Sequence, residues 1–398
     1  MSTFKEFAKQ INKKYKDGNV LLAGDVLPTV ELLSMGTLGF DYASSGGLPE
    51  GTIVEFAGQF SSGKSLAAAL AIAQYQRKHP DKVCLYVDVE NAYRSQKDFF
   101  KRMTGLQTDE NHLYVYNCVG KSANTILEDI LDMQKGIDDI GMIVIDSTAA
   151  LVTEDDMESD FSKDNGMRGT PAKVAGKFCR MMTGLVAQKN NILLTINQTR
   201  TVGKTFTGAN IYDEPGGSAW RFYATVRFRF GTRTFIKDGK QDVSLSNAEG
   251  ATGFRLKYAL TKTRIGAANR GGGFLTFDLE NGLDVINDNI EVAIASGFIH
   301  RPNNQTYVLL DPKTGEIRTD KDGNELKFVG KAKLTAFLKE NEDFRTKYFA
   351  ELTDYISGSQ SKNKNFSLLD KEDFDKIMEE DASVEVTAKK KTKEVKEK

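Results

Sequence analysis

Short runs of apolar residues alternate with segments of helical periodicity along the first half of the chain. Four runs are apolar at nearly every position, as in strands buried on both faces of a sheet: Ile53–Ala57, Val83–Val87, Met142–Ile145 and Ile192–Ile196. Helical periodicity lies between them, at Lys64–Arg77, Asn124–Lys135 and Ala172–Lys189. This alternation predicts an α/β fold with a mostly parallel central sheet and helices on both faces.

The pattern differs at the two ends of the chain. Apolar residues recur at helical spacing from Phe4 to Tyr15, which predicts a short amphipathic helix that packs on its own core or on a neighbouring molecule. A smaller pattern of helices and short strands begins near Asn287. Before it come three predicted strands, expected to extend the sheet in antiparallel fashion: Val226–Phe230, Phe254–Leu260 and Phe274–Asp278.

These changes divide the chain into four parts. Residues 1–33 are a helix and a linker, residues 34–286 are the α/β core, and residues 287–357 are a small α+β domain. Residues 358–398 are polar and end in a run of lysine and glutamate, so we expect this tail to be disordered.

Composition excludes several classes of protein. No window approaches the roughly 20 apolar residues that a membrane span needs, so we expect no membrane partner. The three cysteines are far apart along the sequence and indicate neither a disulfide framework nor a zinc site; they fit a reducing cytoplasm. The net charge of −1 argues against a protein that coats itself with nucleic acid by bulk charge, but leaves room for a local basic groove.

A phosphate-binding loop follows the first predicted strand of the core. The residues match G-x-x-x-x-G-K-[ST] in full and lead into a helix: Gly58, Gln59, Phe60, Ser61, Ser62, Gly63, Lys64, Ser65 and Leu66. Glycines let backbone N–H groups surround phosphates, Lys64 reaches the β- and γ-phosphates, and the Ser65 hydroxyl binds Mg²⁺. The alternative is a chance glycine turn, which the flanking strand and helix disfavour. The sequence therefore predicts a site that binds and hydrolyses a nucleoside triphosphate with Mg²⁺.

Three further strands of the core end in polar side chains. Asp146 ends an apolar strand, which suits a carboxylate that holds Mg²⁺ through water. Glu90 lies at the tip of a strand that we expect beside the phosphate loop, where it either activates the attacking water or caps a helix. Gln198 either senses the γ-phosphate or is simply a polar strand end. The residues alone leave the roles of Glu90 and Gln198 open.

Two segments rich in glycine and charge follow strands at the same edge of the sheet. Thr153–Thr170 contains Arg168 and Gly169, and a second segment, Arg200–Ser218, follows Gln198. The second segment contains Arg200, Lys204, Phe206, Gly216 and Gly217. Cations interleaved with aromatic residues and glycine suit single-stranded nucleic acid. The alternative is a pair of mobile solvent loops, although loops this long are usually functional or disordered.

These motifs, taken in order, resemble the RecA recombinase family, and in particular the RecA-like recombinases of bacteriophages. The segments that carry the resemblance are Gly36–Asp41, Gly46–Gly51, the phosphate loop, Tyr86–Glu90, Ile145–Leu151, Ile196–Gln198, Gly216–Ala224 and Gly330–Lys339. The resemblance implies a RecA-type ATPase core, an N-terminal helical element for polymerisation, residues 1–33, that docks on the adjacent protomer, and a small C-terminal α+β domain.

The resemblance also implies roles for individual residues. Glu90 activates water, Gln198 couples the γ-phosphate to DNA binding, and residues 153–170 and 200–218 are the two DNA loops. Lys262 and Arg264 match a pair of cations that reach across the subunit interface to the neighbour's ATP; the family has lysine at both places, and arginine suits phosphate equally well. Two family contacts to adenine correspond to Arg94 and Lys97 here, so the contact with the base differs.

The implied function is a DNA-dependent ATPase that forms a helical filament on single-stranded DNA and exchanges strands with homologous double-stranded DNA. ATP and Mg²⁺ are the implied cofactors, and a single-strand-binding protein and a loading mediator are implied partners. Two alternatives share the phosphate loop. A ring-forming replicative helicase of the same superfamily is disfavoured by the N-terminal helix and the C-terminal segment, and a small-molecule kinase is disfavoured because no acceptor motif is found.

Overall fold

The structure is a computed structural model that describes residues 3–15, 30–158, 170–204, 210–237, 240–265, 271–311, 314–357 and 367–382. It consists of two compact units, Met1–Glu31 and Leu32–Lys398. No helix in the described ranges is long and apolar enough to cross a membrane.

Among its described residues, the first unit contains the helix α1 (Phe4–Tyr15), as the periodicity predicts. The helix begins with reciprocal hydrogen bonds between Thr3 and Glu6. The Thr3 amide donates to the Glu6 carboxylate at 2.9 Å, and the Glu6 amide donates to the Thr3 hydroxyl at 3.4 Å. This capping pair satisfies backbone donors that the first turn leaves open.

The second unit is built around a sheet of eleven strands in the part of the chain that the structure describes. The strands of this unit are β1 (Leu32–Leu33), β2 (Leu48–Pro49), β3 (Ile53–Gly58), β4 (Val83–Asp88), β5 (Leu113–Asn117), β6 (Ile140–Asp146), β7 (Ile192–Gln198), β8 (Arg200–Lys204), β9 (Asn210–Asp213), β10 (Val226–Phe230), β11 (Thr234–Lys237), β12 (Lys240–Val243), β13 (Gly253–Thr263), β14 (Gly272–Asp278), β15 (Gly282–Leu283), β16 (Ile299–His300), β17 (Thr306–Leu309) and β18 (Lys327–Val329). The central sheet runs β12-β11-β13-β10-β3-β7-β6-β4-β5, with β14 paired to β13 and β15 to β14.

Six neighbouring strands of this sheet, from β10 to β5, run parallel, as the alternation of strands and helices predicts. The antiparallel extension is β13 and its neighbours β11 and β14. The expectation for Val226–Phe230 is wrong, because β10 pairs in parallel with β3 and only its other edge, facing β13, is antiparallel. Its apolar side chains alternate with arginines, so the strand pattern alone did not fix the direction of pairing.

Helices cover both faces of the sheet, as predicted. The helices of the second unit, within the described residues, are α2 (Leu38–Ala43), α3 (Lys64–Lys78), α4 (Tyr93–Thr104), α5 (Ala123–Gly136), α6 (Glu154–Glu158), α7 (Thr170–Lys189), α8 (Ala219–Tyr223), α9 (Val285–Ala295), α10 (Lys331–Glu340), α11 (Glu342–Ser357) and α12 (residues 371–382). The alanine-rich α3 packs with one hydrophobic cluster on one face, whereas α5 and α7 pack with a second cluster on the other. Alanine favours the helix and lets it lie close to the sheet.

The elements from α9 to α11 share a third hydrophobic cluster, which contains Ile290, Leu334 and Tyr348. Tyr42 of α2 belongs to the same cluster, so these elements pack directly on the part of the chain that carries the phosphate loop. The boundary of a separate domain at residue 287 therefore remains a proposal.

The sequence predicts that residues 358–398 are a disordered tail, but one segment of this tail is folded. Residues 371–382 form the helix α12. Leu369 and Ile377 are buried against Ala259 of β13, and the Leu368 amide donates a hydrogen bond to the Gly272 carbonyl at 3.0 Å. Four apolar residues among charged ones, Leu369, Phe374, Ile377 and Met378, pack this segment against Ala259, and the polar composition hid them. Residues 358–366 and 383–398 lie outside the described residues.

The face of the sheet that α7 and α8 cover also contains two arginines with no exposed surface, Arg227 and Arg229 of β10. Arg227 donates from Nε to Glu55 of β3 at 2.7 Å and also pairs with Glu214 and Asp381. Burial lowers the pKa of Arg227, but these three carboxylates outweigh burial and raise the pKa above its ordinary value. The guanidinium is therefore charged, and its partners are essential to its burial.

We expect Glu55→Ala to lower the free energy of unfolding by about 3–5 kcal/mol, because it leaves the buried Arg227 short of a partner and the Asn197 amide without its 3.2 Å bond to Glu55. Urea denaturation measures the change. Glu110→Ala removes an exposed carboxylate and is the matched control. Equal stability of the two variants would contradict the role given to the buried pair.

Candidate functional site

The phosphate loop joins β3 to α3 in a conformation that needs its glycines. Gly58 and Gly63 have φ angles of 152° and 89°. A Cβ on Gly58 would lie 2.4 Å from the Phe230 carbonyl oxygen, and one on Gly63 would lie 2.3 Å from the Leu256 side chain. Both positions therefore exclude any other residue, as the motif requires.

The N-terminus of α3 is suited to hold phosphate. The helix has fifteen residues, and Gly63 at its N-cap provides no side-chain hydrogen bond to the first turn. Its first N–H groups and the positive end of its dipole are therefore free of a competing side-chain acceptor. Ser61 also has a positive φ of 59°, which turns the backbone around the loop. Phe60 extends outward with 82% of its surface exposed, and Leu66 is buried in the core.

Lys64 lies folded into the loop. Its Nζ donates to the Gln59 carbonyl at 2.7 Å and to the Ser62 hydroxyl at 3.3 Å. Burial lowers its pKa to about 8, although Asp146 and Glu90 act in the opposite direction. The ammonium is held by neutral oxygens that a phosphate can replace, so the side chain is suited to bind the anion.

Asp146 ends β6 and is buried near the first turn of α3. Burial raises its pKa, and hydrogen bonds from Tyr86 and Ser65 lower it. Tyr86 Oη donates to Asp146 Oδ2. The Ser65 hydroxyl and the Asp146 carboxylate are thus within hydrogen-bond reach of each other, which is the donor set expected around Mg²⁺ bound to a triphosphate. The residues present fit Mg²⁺ and a nucleoside triphosphate.

Glu90 and Gln198 meet at the carboxyl edge of the sheet. The Gln198 side-chain amide and the Ser147 hydroxyl both donate to Glu90 Oε1. The expectation that Glu90 follows a strand beside the phosphate loop is wrong, because β7 and β6 lie between β3 and β4. The side chains nevertheless meet, since parallel strands end at one edge. Glu90 does not cap α4, whose first amides, those of Ala92 and Tyr93, bond instead to Asp88.

The first predicted DNA loop is described only in part. Residues 154–158 form α6 and residue 170 begins α7, whereas Arg168 and Gly169 lie outside the described residues. We therefore keep their predicted role as a proposal.

The second predicted DNA loop contains a hairpin. Its strands β8 and β9 pair in antiparallel fashion, with Arg200 opposite Asp213 and Lys204 opposite Asn210. Arg200 and Lys204 are exposed, and Phe206 lies outside the described residues. The hairpin begins two residues after Gln198, so the contact between Gln198 and Glu90 lies at its base.

Gly216 and Gly217 follow the hairpin with φ angles of 80° and 75°. A Cβ on Gly217 would lie 2.8 Å from the Cβ of Ala172 in α7. These glycines allow the chain to turn close to α7 before α8 begins. Gly216 and Gly217 therefore have a structural role in this turn, whereas their contact with DNA stays a prediction.

Lys262 and Arg264 lie nearer than the phosphate loop to the amino ends of the parallel strands. Lys262 pairs with Arg227, which is level with Glu55 near the start of β3, and the Arg264 amide donates to the Thr225 carbonyl at 2.9 Å. The loop begins at Gly58, three residues further along β3 than Glu55. At about 3.3 Å per residue this places the loop about 10 Å further along the strand than Lys262.

Both cations are also held in place at α8. Lys262 Nζ donates to the carbonyls of Arg221 and Phe222 at 2.7 and 2.8 Å, and the Arg264 guanidinium donates to the Phe222 carbonyl at 2.8 Å. Burial lowers the pKa of Lys262 to about 8, with Arg264 adding to the effect. In this structure these hydrogen bonds of both side chains go to α8 and not to the phosphate loop of their own chain.

Sequence reasoning missed several residues that support this site. Tyr86 and Ser147 position the two acidic groups, and Asp88 positions the helix that follows Glu90. Asp88 and Ser147 lie next to strand ends that the motifs had already marked, which is a signal that could have found them. Tyr86 is indistinguishable in sequence from a core aromatic residue.

We expect Lys64→Ala to weaken the binding of a nucleoside triphosphate with Mg²⁺ by about 10- to 100-fold, since it removes a charged hydrogen bond to phosphate. Titration with a fluorescent nucleotide analogue measures the affinity. Lys101→Ala removes an exposed lysine of α4 and should leave it unchanged. Unaltered affinity in Lys64→Ala would refute the location of the site.

Comparison with known proteins places the chain in a family. A family model described as the RecA N-terminal domain matches residues 3–252, a range that includes the phosphate loop, Glu90, Asp146 and Gln198. The crystal structure of the RadB recombinase is similar with a TM-score of 0.42 and 16% sequence identity, over 63% of this chain and 98% of that one. The family match spans more than half of this chain. The chain therefore belongs to the RecA family of ATP-hydrolysing recombinases.

Proposed function

We propose that this protein is a DNA-dependent ATPase that polymerises on single-stranded DNA and catalyses homologous pairing and strand exchange in recombination and repair, as the RecA-like recombinases of bacteriophages do. The observation that carries the proposal is the contact between Glu90 and Gln198 at the base of a hairpin whose first strand, β8, is exposed. Glu90, which is suited to activate water, is thereby hydrogen-bonded to Gln198 at the end of β7. The next strand, β8, carries the exposed cations Arg200 and Lys204.

Glu90 is suited to act as the general base. It is exposed to solvent at the carboxyl edge of the sheet, and the Ser147 hydroxyl and the Gln198 amide fix its orientation. A carboxylate held in this way accepts a proton from a water molecule as that water attacks phosphorus. Gln198 has two donors, so it is able to exchange its bond to Glu90 for one to a phosphate oxygen.

The same side chains explain how ATP and Mg²⁺ would be held. Lys64 and the N-terminus of α3 would bind the phosphates, and Ser65 with Asp146 would hold the metal. When bound, Mg²⁺ neutralises charge on the phosphates and orients them. Exchange of the Gln198 hydrogen bond then changes the start of β8, which is how nucleotide state reaches the hairpin.

The position of Lys262 and Arg264 supports a filament. The two cations lie on the amino-end side of their own phosphate loop, and backbone carbonyls of α8 hold their side chains. A head-to-tail arrangement of protomers, which generates a helical filament, would bring this side of one protomer to the phosphate loop of the next. Each active site would then combine Glu90 of one chain with the cations of another.

The hairpin supports a role in binding DNA. Arg200 and Lys204 are exposed cations at its two ends, and Val202 between them is 54% exposed. Such a surface is suited to phosphate neutralisation and base contact along one strand. The proposal includes double-stranded DNA as the second substrate, a single-strand-binding protein and a loading mediator as partners, and the cytoplasm as the compartment.

A mixing experiment tests the interfacial active site. Glu90→Gln lacks the base, and Lys262→Ala/Arg264→Ala lacks the cations, so neither should hydrolyse ATP well on single-stranded DNA, given that a trans cation is worth about 10³–10⁵-fold. Mixed in equal amounts, the two proteins should recover up to about a quarter of wild-type turnover, because that share of random head-to-tail interfaces joins two intact halves.

In the matched control, the protein that carries Glu90→Gln also has its own Lys262 and Arg264 replaced by alanine. The triple variant Glu90→Gln/Lys262→Ala/Arg264→Ala, mixed with Lys262→Ala/Arg264→Ala, contains no interface with both intact halves and should recover nothing. If the first mixture also recovers nothing although both proteins co-assemble on the DNA, the cations act within their own chain and the interfacial model fails.

A further inference from the structure

The last turn of α12 inserts two carboxylates into the core. Glu380 and Asp381 are 8% and 4% exposed, although they belong to a segment rich in charged residues. Asp381 pairs with Arg227 and, at 2.7 Å, with Arg221 of α8. Glu380 lies 3.3 Å from the Arg229 guanidinium. A polar segment far along the sequence thus completes a buried charge cluster.

Carboxylates from three parts of the chain pair with the arginines of this cluster. Glu55 and Glu214 are the carboxylates that the sheet and the hairpin segment supply to Arg227 and Arg229. From α12, Asp381 pairs with Arg221 and Arg227, and Glu380 pairs with Arg229. Removing one partner of a buried ion pair is strongly destabilising, so these pairs favour the docked helix.

Glu380 also contacts the phosphate loop and the hairpin at once. Gln59 Nε2 donates to Glu380 Oε1 at 2.9 Å and to Tyr212 Oη at 3.2 Å, and Tyr212 Oη donates to Glu380 Oε1 at 3.4 Å. Gln59 is the second residue of the phosphate loop, and Tyr212 lies on β9, paired with Thr201 of β8. One carboxylate therefore joins the nucleotide-binding loop to the proposed DNA-binding hairpin.

Gln59 is well placed to respond to nucleotide. Its carbonyl accepts the 2.7 Å hydrogen bond from Lys64, the side chain suited to bind phosphate. If Lys64 turned to a phosphate, it would give up that bond and the loop would be free to shift at Gln59. Such a shift would reach Glu380 and Tyr212 through the Gln59 side chain, since both residues are buried and hydrogen-bonded to it.

We propose that Glu380 is a positioning residue that couples the phosphate loop to the hairpin within one protomer, and that α12 is the element that holds it there. This inference rests on the proposed function, since it assigns a second route, beside Gln198, by which nucleotide and DNA influence each other. Gln59 follows β3, which lies on one side of β7, whereas Glu90 follows β4, which lies beyond β6 on the other side of β7. The route through Glu380 is therefore separate from the contact between Gln198 and Glu90.

The test compares turnover with and without single-stranded DNA. Glu380→Ala should lower the ratio of DNA-stimulated to DNA-free ATPase at least about 5-fold, the lower range of coupling between two sites. Glu380→Gln should retain most of the ratio, because its carbonyl oxygen still accepts from Gln59 and Tyr212. Tyr212→Phe should lower the ratio as well. Because this variant leaves no buried charge unpaired, it provides the test if Glu380→Ala proves too unstable to purify.

The matched control lies at the other end of the same helix. Asp373 pairs with Lys257 of β13, so Asp373→Ala removes one ion pair between α12 and the sheet and leaves the contacts of Glu380 with Gln59, Tyr212 and Arg229 in place. It should keep the wild-type ratio at a temperature where thermal unfolding shows the protein folded. Equal losses in Asp373→Ala and Glu380→Ala would mean that α12 acts only as a structural brace, and would overturn the assignment to Glu380.

The outcomes separate this inference from the proposed function. Wild-type protein whose ATPase ignores single-stranded DNA would sink the proposed function itself. Wild-type protein that is stimulated, together with unchanged ratios in both Glu380→Ala and Tyr212→Phe, would leave the proposed function standing and overturn the coupling role of Glu380. A reduced ratio in both variants, with Asp373→Ala unchanged, is the expected result.

Discussion

The pairing of two buried arginines with carboxylates from distant parts of the chain is the constraint on which the rest of this structure depends. Arg227 and Arg229 lie inside a face of the sheet where a solvated charge has no place, so each must meet an acid. The acids come from β3, from the segment after the hairpin and from α12. Both guanidinium groups need acidic partners, and these partners join β10 to β3, to the segment after the hairpin and to α12. The ion pairs therefore hold the elements around the phosphate loop in fixed positions relative to one another.

The functional groups divide between the two ends of the same sheet. The carboxyl edge carries the phosphate loop, Asp146, Glu90 and Gln198, because parallel strands end together. The cations Lys262 and Arg264 lie towards the other end, because β13 runs antiparallel to β10. In the proposed filament, a head-to-tail neighbour would bring Lys262 and Arg264 of one protomer to the phosphate loop of the next. Polymerisation and hydrolysis would then depend on one another.

The sequence predicted the parts of the molecule that obey local rules. Consecutive apolar positions located the parallel strands, and the phosphate loop was recognisable because glycine, lysine and serine are each required at fixed spacing. Strand order was not predictable in this way, which is why Glu90 was expected beside the phosphate loop. Glu380 and Asp381 were assigned to a disordered tail because their partners are about 150 residues away, and composition alone describes such residues as solvated.

The most direct test of the central claim is electron microscopy of the protein with single-stranded DNA, Mg²⁺ and a non-hydrolysable ATP analogue, at a resolution that shows side chains. The account predicts helical filaments in which the nucleotide lies between protomers, bound by Lys64 of one chain and approached by Lys262 and Arg264 of the next. Closed rings, or a nucleotide that contacts only one protomer, would contradict it.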